Sequence, residues 1–559
     1  MLRHLSRGRS GRQNKSNAQS QITGDLQQML DRVLAESGHS PDIVIRHLKL
    51  GGPVPVPVEA AIVYLNALSN QQMINNFVIK PLMGLEPEKV HAYKADRLMK
   101  YILENALSLG ETSVVKEWND IMMAVLSGDT VLLVEGSDQG IVTGTAGGEW
   151  RAVNEPTSQL VVRGPKDSFV ESIATNISLI RRRIKSPDLW LESMKIGSVT
   201  HTHVAMMYMK GCADPNLVEE VRSRLKGIRI DGVLESAYIE EFIQDKTFTP
   251  FPTIFNTERP DVAAGNLLEG RVVILVDGTP YTLILPTVFA QFMQSPEDYA
   301  QRFDISILMR IIRYICFVIL LLGPAVYVAL TTFHYEMIPT LLLVSLMAQR
   351  EGVPFPAFVE AIIMEVVFEI LREAGVRMPR AIGQTVSIVG ALILGQAVVE
   401  AGIITPIMVI VVALTGIASF ALPSYNLSIA GRLFRFYFLL LAGLFGFYGI
   451  TLGLILMVAH MNSIRSFGVP YLSPFSPFVP QAQKDVILRL PIWMHGWKPL
   501  MTSSQQDIEK TREIKPQGSS KSKSSVDQAD SNEGQKVRKQ NGGGSPESRH
   551  GRQEEPNEN

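Results

Sequence analysis

The stretch PFPAFVEAIIMEVVFEILREAGVRMPR (354–380) decides how the second half of this chain can fold. Most of it is apolar enough for a membrane segment, yet Glu360, Glu365 and Glu369 lie among its isoleucines, valines and phenylalanines. About ten apolar side chains favour membrane insertion by roughly 3 to 6 kcal/mol, whereas three ionised carboxylates each cost about 2.5–3.5 kcal/mol. The acids outweigh the apolar residues, so this helix must pack against protein, line water or lie at an interface.

The spacing of the acids leaves two interpretations of this helix. Glu365 and Glu369 are four residues apart and share one helical face. In the first interpretation both face a cation path, and Glu400, at the end of the next apolar segment, is a further candidate. Acidic side chains repeated around an oligomer are one way to select cations. In the second interpretation the helix lies flat on the membrane, with Glu369 paired to Arg372 or Arg377.

Apolar segments continue on both sides of this helix. A membrane-spanning helix needs about 20 apolar residues. Segments of suitable length and composition lie at 314–330, 385–402, 403–422 and 434–460, and a shorter apolar segment lies at 338–349. They predict an α-helical polytopic membrane domain over 305–500, with about four or five hydrophobic segments and a short C-terminal extension.

Basic residues near the ends of these segments predict the orientation, because they are retained on the cytosolic side. If 338–372 crosses as a single broken span, the residues that fit one cytosolic side are Arg310, Arg313, Arg372, Arg377, Arg380, Arg432 and Arg435. If 338–372 is instead a re-entrant or interfacial element, the number of spans changes. A single last span would place residues 461–559 on the opposite side, where Arg465, Lys484 and Arg489 are unfavourable. The side of the C-terminus therefore stays open at this point.

The preceding region, 23–304, alternates helical and strand patterns and predicts a cytosolic α/β region of two subdomains, 23–150 and 151–304. SGDTVLLVEG (127–136) aligns without gaps to EGRVVILVDG (269–278). This alignment predicts an internal repeat. The alternative is that buried hairpins resemble one another by their composition.

The two ends of the chain have the composition of disordered segments. Residues 1–22 are polar and basic, without the apolar run of a signal peptide, which indicates that the N-terminal region is cytosolic. Residues 501–559 contain too few apolar side chains to bury a core. We expect both segments to be disordered.

Several function classes are not supported by the sequence. The formal net charge is −1, so no charge excess predicts a nucleic-acid partner. The chain has 2 cysteines and therefore no disulfide framework. It contains no phosphate loop, HExxH or GxSxG motif. We expect no catalytic residues, no metal site and no cofactor, and therefore not an enzyme.

Long blocks of the sequence resemble the A subunits of the GerA family of spore germinant receptors, over about residues 35–495. The blocks are TNISLIRRRIKSPDL (175–189), NTERPDVAAGNLLEGRVVILVDGTPYTLILP (256–286), QSPEDY (294–299), PFPAFVEAIIMEVVFEILREAGVRMPRAIGQTVSIVGALILGQAVVEAG (354–402) and WMHGWKP (493–499). The resemblance implies an integral protein of the spore inner membrane that responds to nutrients and initiates germination.

The resemblance also implies partners. The family's A subunit works with a transporter-like B subunit and a lipoprotein C subunit, and nutrient binding leads to release of cations and then dipicolinic acid. In this interpretation the chain is a homo-oligomer in contact with membrane lipid, and is the cation-conducting or gating component. The alternatives are a non-conducting scaffold of the receptor, or a paralogous sporulation membrane protein linked to dipicolinic acid release.

Two short motifs lie before the first apolar segment and are candidates for coupling it to the cytosolic region. They are TERPD (257–261) and SPEDY (295–299), whose charged candidates are Glu258, Arg259, Asp261, Glu297 and Asp298. The alternative for TERPD is a structural turn in which Arg259 is buried in an ion pair.

Overall fold

The computed structural model describes residues 22–51, 57–147, 155–377, 395–480 and 482–491. Two five-stranded sheets with their helices precede a bundle of apolar helices, which confirms the predicted α/β region followed by a helical domain. The predicted disordered segments, apart from Ile22, lie outside the described residues, as do Arg380, residues 385–394 of the apolar segment predicted at 385–402, and the motif at 493–499.

The first sheet has the order β1-β2-β4-β5-β3, and all its neighbouring strands are antiparallel. The strands are β1 (Ile43–Leu50), β2 (Val58–Leu65), β3 (Thr112–Val115), β4 (Thr130–Val134) and β5 (Gly140–Thr143). The helices are α1 (Leu26–Glu36), α2 (Gln71–Met73), α3 (Lys80–Met83), α4 (Pro87–Ala92), α5 (Ala95–Asn105) and α6 (Trp118–Ser127), with a π-helix at Ile74–Ile79. Helices cover both faces of the sheet, which explains why every residue of β4 is buried.

The second sheet has the order β6-β7-β9-β10-β8, again with antiparallel neighbours. The strands are β6 (Leu189–Ile196), β7 (Thr202–Met209), β8 (Phe255–Thr257), β9 (Val272–Val276) and β10 (Thr282–Leu285). The helices are α7 (Ile173–Arg183), α8 (Pro215–Gly227), α9 (Ser236–Ile243), α10 (Pro260–Leu268), α11 (Phe289–Phe292) and α12 (Glu297–Ala300). Helices α8 and α9 pack on one face, and α7 and α10 on the other.

The topology of the two sheets supports the predicted repeat. Counted from its first strand, each sheet has the same strand order, and β4 and β9 occupy equivalent places. The glycines that flank these strands match as well. Gly128 and Gly270 have φ of +101° and +87°, and Gly136 and Gly278 have φ of +79° and +88°. Positive φ favours glycine, so the aligned glycines reflect one shared backbone path.

The helical domain follows directly. Its helices are α13 (Phe303–Thr332), α14 (Thr340–Arg350), α15 (Ala357–Arg377), α16 (Pro406–Phe420) and α17 (Tyr425–Ser463), with helical residues at 395–400 and short 3₁₀ helices at Tyr335–Met337 and Ala482–Asp485. A two-stranded sheet, β11 (Arg465–Ser466) and β12 (Val469–Pro470), follows α17. Helices α13 and α17 are long and apolar enough to cross a membrane, whereas α14 and α16 are shorter apolar helices.

Helix α17 is a hairpin of two antiparallel arms, 425–445 and 447–463. The chain reverses at Gly446, whose φ of 58° and ψ of −139° are not helical. A Cβ atom on Gly453 would lie 2.7 Å from Leu441 Cδ1, although twelve residues of straight helix span about 18 Å. The single straight span predicted at 434–460 is therefore a helical hairpin.

The helix ends fall into two groups, which we call the near end and the far end of the bundle. At the near end, Asp298 bonds Arg310 at the start of α13, and Thr249 bonds His460 at the end of α17 (3.0 Å). At the far end, Gly446 lies against Phe333, just past α13. Because α17 returns to the near end, the described residues after it lie on the side of the N-terminal region.

This return answers the open question of orientation for the described residues. Residues 464–480 and 482–491 follow the second arm of α17, and Arg310 bonds Asp485 in that segment. Arg465 and Arg489 therefore lie at the near end with Arg313, in agreement with one basic side. Residues 461–480 and 482–491 therefore do not lie on the opposite side, which a single last span would require.

Gly446 gives a first test of the hairpin. Replacing Gly446 with alanine is expected to destabilise the folded chain by about 2–3 kcal/mol, because a side chain is strained in this backbone region. The new Cβ would also lie 2.8 Å from His334 Cε1 and 2.9 Å from Phe333 Cβ. Thermal unfolding of the full chain in detergent measures the effect. Gly352→Ala is the control, since no heavy atom lies within 4 Å of its Cβ position, and an equal effect of both changes would contradict the hairpin.

Candidate functional site

The buried acids of α15 lie against two arginines of α17. Glu365 is fully buried, and its Oε2 lies 2.8 Å from Nη2 of Arg435, which is also buried. Glu369, one turn later, accepts hydrogen bonds of 2.8 Å from Arg432 Nη1 and from Arg435 Nη2. We call Glu365, Glu369, Arg432 and Arg435 the ion network. It joins α15 to the first arm of α17.

The ion network differs from the pairing predicted for a flat helix. Arg372 donates to Ser419 Oγ (3.1 Å), and Arg377 pairs with Glu373. The prediction that Glu369 pairs with Arg372 or Arg377 is therefore wrong. Glu365 and Glu369 pair with arginines of a neighbouring helix because this part of α15 packs inside the bundle.

Glu360, the third acid of α15, closes the far end of the bundle. Its Oε2 accepts hydrogen bonds from the backbone N–H (3.2 Å) and the hydroxyl (3.0 Å) of Thr405, the residue that precedes α16. A carboxylate is favourable at a helix N-terminus, where the first backbone N–H groups have no partner within the helix. Arg350 at the end of α14 lies 3.5 Å from the other carboxylate oxygen. Glu360 therefore connects α14, α15 and α16.

The structure brings together only two of the three candidates for an ion path. Glu365 and Glu369 share Arg435, whereas Glu400 is exposed and accepts a hydrogen bond from Gln396 (2.7 Å). Within one chain Glu365 has no access to solvent, and Glu369 is about one quarter exposed (25%). The two carboxylates and two guanidinium groups of the network balance in charge.

At the near end, Asp298 binds the first turns of α13. Its Oδ2 accepts hydrogen bonds from Arg310 Nε (3.1 Å) and Arg313 Nη1 (2.7 Å), and both Asp298 and Arg310 are buried. The Ser306 hydroxyl also donates to the backbone carbonyl of Asp298 (2.7 Å). Asp298, one of the five predicted coupling residues, is thus bonded directly to α13, a helix long enough to cross a membrane.

The segment after α17 adds a second connection at the same place. Arg310 Nη1 donates to Asp485 Oδ1 (3.1 Å), and the Tyr299 hydroxyl donates to Asp485 Oδ2 (2.8 Å). Glu297, beside Asp298, accepts a local hydrogen bond from Gln301 (2.7 Å). The near end of α13 is therefore held by α12 on one side and by the C-terminal segment on the other.

The TERPD motif fixes a neighbouring loop, 157–165. Glu258 accepts hydrogen bonds from the backbone N–H groups of Ser158 (2.6 Å) and Gln159 (3.0 Å). Burial acts to raise the pKa of Glu258, but the bonds from Ser158 and its neighbours outweigh burial and leave the pKa below its usual value. Arg259 is buried, pairs with Asp261 (2.8 Å) and donates to the Pro165 carbonyl (2.9 Å). These contacts agree with the structural alternative for TERPD.

A cavity of about 790 Å³ lies between part of the N-terminal region and the near end of the bundle. Asp261 and Glu297 line it together with Arg271, Arg313 and the turn at 420–424 between α16 and α17. Both coupling motifs therefore border one space, which leaves room for the turn to move relative to the second sheet.

The partners of these acids were missed by sequence reasoning. Arg432 and Arg435 were assigned only to the orientation of the last apolar segment. Their signal was present, since charged side chains inside a membrane segment usually pair with one another. Arg350, the partner of Glu360, was likewise not predicted. What the sequence does not contain is which helix faces which.

Comparisons with known proteins identify the family that this chain is similar to. Residues 29–501 match the family described as Bacillus/Clostridium GerA spore germination protein. Spore germination protein KA of Bacillus subtilis is 49% identical over 497 residues, which cover 89% of this chain and 90% of that protein. Spore germination protein GerLA of Bacillus cereus is 36% identical over 495 residues, covering 89% and 99%. The crystal structure of the N-terminal domain of the A subunit of the Bacillus megaterium spore germinant receptor GerK3 is 42% identical, covers 48% of this chain and 98% of that one, and gives a TM-score of 0.39.

Proposed function

The chain belongs to the GerA family of spore germination proteins, and from this premise we propose that it is the A subunit of a nutrient germinant receptor in the spore inner membrane. Family membership and two helices that could cross a membrane indicate a membrane-associated germination protein. The proposed partners are a transporter-like B subunit and a lipoprotein C subunit. The family is described by its role in germination and not by a catalytic activity.

The proposed orientation places the N-terminal region in the cytosol. Arg310, Arg313 and Arg465 lie at the near end of the bundle, on the side of that region. Positive side chains are retained on the cytosolic side of membranes. Exposed apolar residues along the helices, such as Leu308, Ile315 and Leu444, are available to lipid or to partner subunits.

The proposed mechanism is a gate in a homo-oligomer that conducts cations. The observation that supports it is the ion network, which holds two carboxylates on α15 against two arginines on α17. A shift of α15 relative to α17 would free carboxylate charge toward a water-filled path. The nutrient-bound partner can drive that shift only if it binds one arrangement better than the other.

The test of the receptor role is potassium release from purified spores of the parent and of a deletion strain, across a panel of amino acids and sugars. Loss of release for one nutrient class, restored by the intact gene, is the expected result. Unchanged release for every nutrient would contradict the proposal once related receptors are also deleted.

Neutralising one acid separates conduction from support. Glu365→Gln is expected to lower the rate of potassium release at least about threefold, because it removes a carboxylate from the gate. Arg435 keeps Glu369 as its charged partner, so no buried charge is left unpaired and the fold is retained. Glu373→Gln on the same helix is the control, because Glu373 is exposed and pairs with Arg377. Assembly is followed by co-purification of the B and C subunits.

The second candidate is a scaffold that holds the receptor together without conducting ions. The observation that favours it is the balance of charge in the ion network, which leaves no unpaired acid there within one chain. For a scaffold, Glu365→Gln would leave release unchanged, or would reduce release and co-purification in parallel.

A further inference from the structure

Helix α9 has an exposed apolar face with an acid on it. Tyr238 and Phe242 are four residues apart and point outward, being 42% and 51% exposed. Glu241 follows Tyr238 by three residues, so it shares this face, and it is exposed. We call Tyr238, Glu241 and Phe242 the α9 face. Its opposite side, Ile239 and Ile243, is buried against the second sheet.

Among the residues that the structure describes, no cation balances the acidic character of the α9 face. Glu241 and the adjacent Glu240 form no ion pair with any residue that the structure describes. Burial, together with Glu235 and Glu241, raises the pKa of Glu240 to about 7. An apolar face with an unpaired acid is poorly suited to an anionic bilayer surface, and it favours a protein partner that brings an arginine or lysine.

A surface of the complementary kind lies on the loop that Glu258 and Arg259 hold in place. Leu160 and Val162 are 72% and 89% exposed. Arg163 beside them is exposed and has no ion pair among the described residues. We call Leu160, Val162 and Arg163 the loop face. The Ser158 N–H donates to Glu258 and Arg259 donates to the Pro165 carbonyl, so the loop is held on both sides of this face.

The two faces lie at the same end of the molecule and on different sides of it. The loop face is next to Gly164, whose Cβ position is 3.9 Å from Ala300 Cβ, just before α13. The α9 face leads to Lys246, whose Nζ is 3.1 Å from Ser463 Oγ at the end of α17. Both faces are therefore close to the near end of the bundle. Helices α9 and α10, which carry and support them, pack on opposite faces of the second sheet.

We propose that the α9 face of one copy of this chain binds the loop face of a neighbouring copy, with Glu241 opposite Arg163. In copies that stand side by side in one membrane, both faces lie close to the near end of the bundle. Within a single chain the two faces are exposed and do not cover each other, so the contact requires a second copy.

Such a contact joins two different surfaces, and head-to-tail contacts of this kind close into rings when the rotation permits. The inference thus rests on the homo-oligomer of the proposed function and adds the surfaces that would form it.

The test is cross-linking of the full chain in isolated inner membranes with a short bis-maleimide. A Val162→Cys/Phe242→Cys chain is expected to give a ladder that extends beyond the dimer. Each single variant and the parent, which has Cys212 and Cys316, are expected to give no ladder. Potassium release is measured on the same spores before cross-linking.

A second experiment exchanges the charges of Glu241 and Arg163. Glu241→Arg is expected to lower the yield of the ladder about tenfold, and adding Arg163→Glu is expected to restore it. Glu88→Arg, at an exposed acid of the first subdomain, is the control. No ladder in spores that still release potassium would overturn the interface while leaving the proposed function intact. A ladder that stops at the dimer, or quenching of Phe242→Trp fluorescence by brominated lipid without cross-links, would also overturn it.

Discussion

Replacing Arg435 with methionine is expected to lower the free energy of unfolding by about 3–5 kcal/mol, the effect of removing one partner from a buried ion pair. Glu365 is fully buried and pairs with Arg435 at 2.8 Å. The substitution leaves this carboxylate without a counter-charge, whereas Glu369 keeps Arg432. Thermal unfolding of the full chain in detergent, together with its amount in spore membranes, measures the loss. Spores of the variant are expected to lose the potassium response.

The control for Arg435→Met is Arg465→Met, because Arg465 is exposed at the near end. A second control is the double change Glu365→Leu/Arg435→Met, which removes both charges. Replacing a buried pair with apolar side chains is often neutral, so the double variant is expected to recover most of the stability. It should not recover potassium release if the network is the gate. Equal stability of Arg435→Met and the parent would contradict the buried pair.

The acids of α15 show how much of the site can be predicted from the membrane-insertion free energies of its residues. The balance between apolar residues and carboxylates excludes a helix surrounded by lipid, and the structure places Glu360 and Glu365 inside the bundle. The same balance contains no information on the partner. Arg435 lies on α17, which packs on α15 although α16 and the turn at 420–424 separate the two helices along the chain. Packing between helices that are distant in sequence therefore determines these ion pairs, and the spacing of charged residues along one helix does not predict them.

The hairpin of α17 has a local signal in the sequence. The apolar stretch 434–460 is longer than the roughly 20 residues that cross a membrane, and it contains several glycines, among them Gly446. Excess length with a glycine in its middle is compatible with two arms, yet it is also compatible with one tilted helix. The contact of Gly453 with Leu441 distinguishes these cases. The repeat, in contrast, was predictable because its glycines require positive φ at matched positions.

The second large effect on stability is expected at the near end of the bundle, where Asp298 binds the start of α13. Asp298→Asn keeps the shape of the side chain and removes the negative charge that Arg310 and Arg313 share. We expect the free energy of unfolding to fall by about 2–4 kcal/mol, less than for an unpaired buried arginine, because Arg310 keeps Asp485. Hydrogen exchange is expected to increase over residues 294–313, since the bond between α12 and α13 weakens.

A functional measurement then separates coupling from support at this junction. If Asp298 transmits motion between the N-terminal region and α13, Asp298→Asn should slow potassium release even at a temperature where the variant is fully folded. Asp304→Asn is the matched control, because Asp304 lies on the same helix in an exposed pair with Arg302. Faster exchange with normal release would mean that Asp298 only supports the fold. Asp298 binds both arginines at the start of α13. If it only supports the fold, we expect the turn at 420–424, which lies across the cavity, to couple the N-terminal region to the bundle.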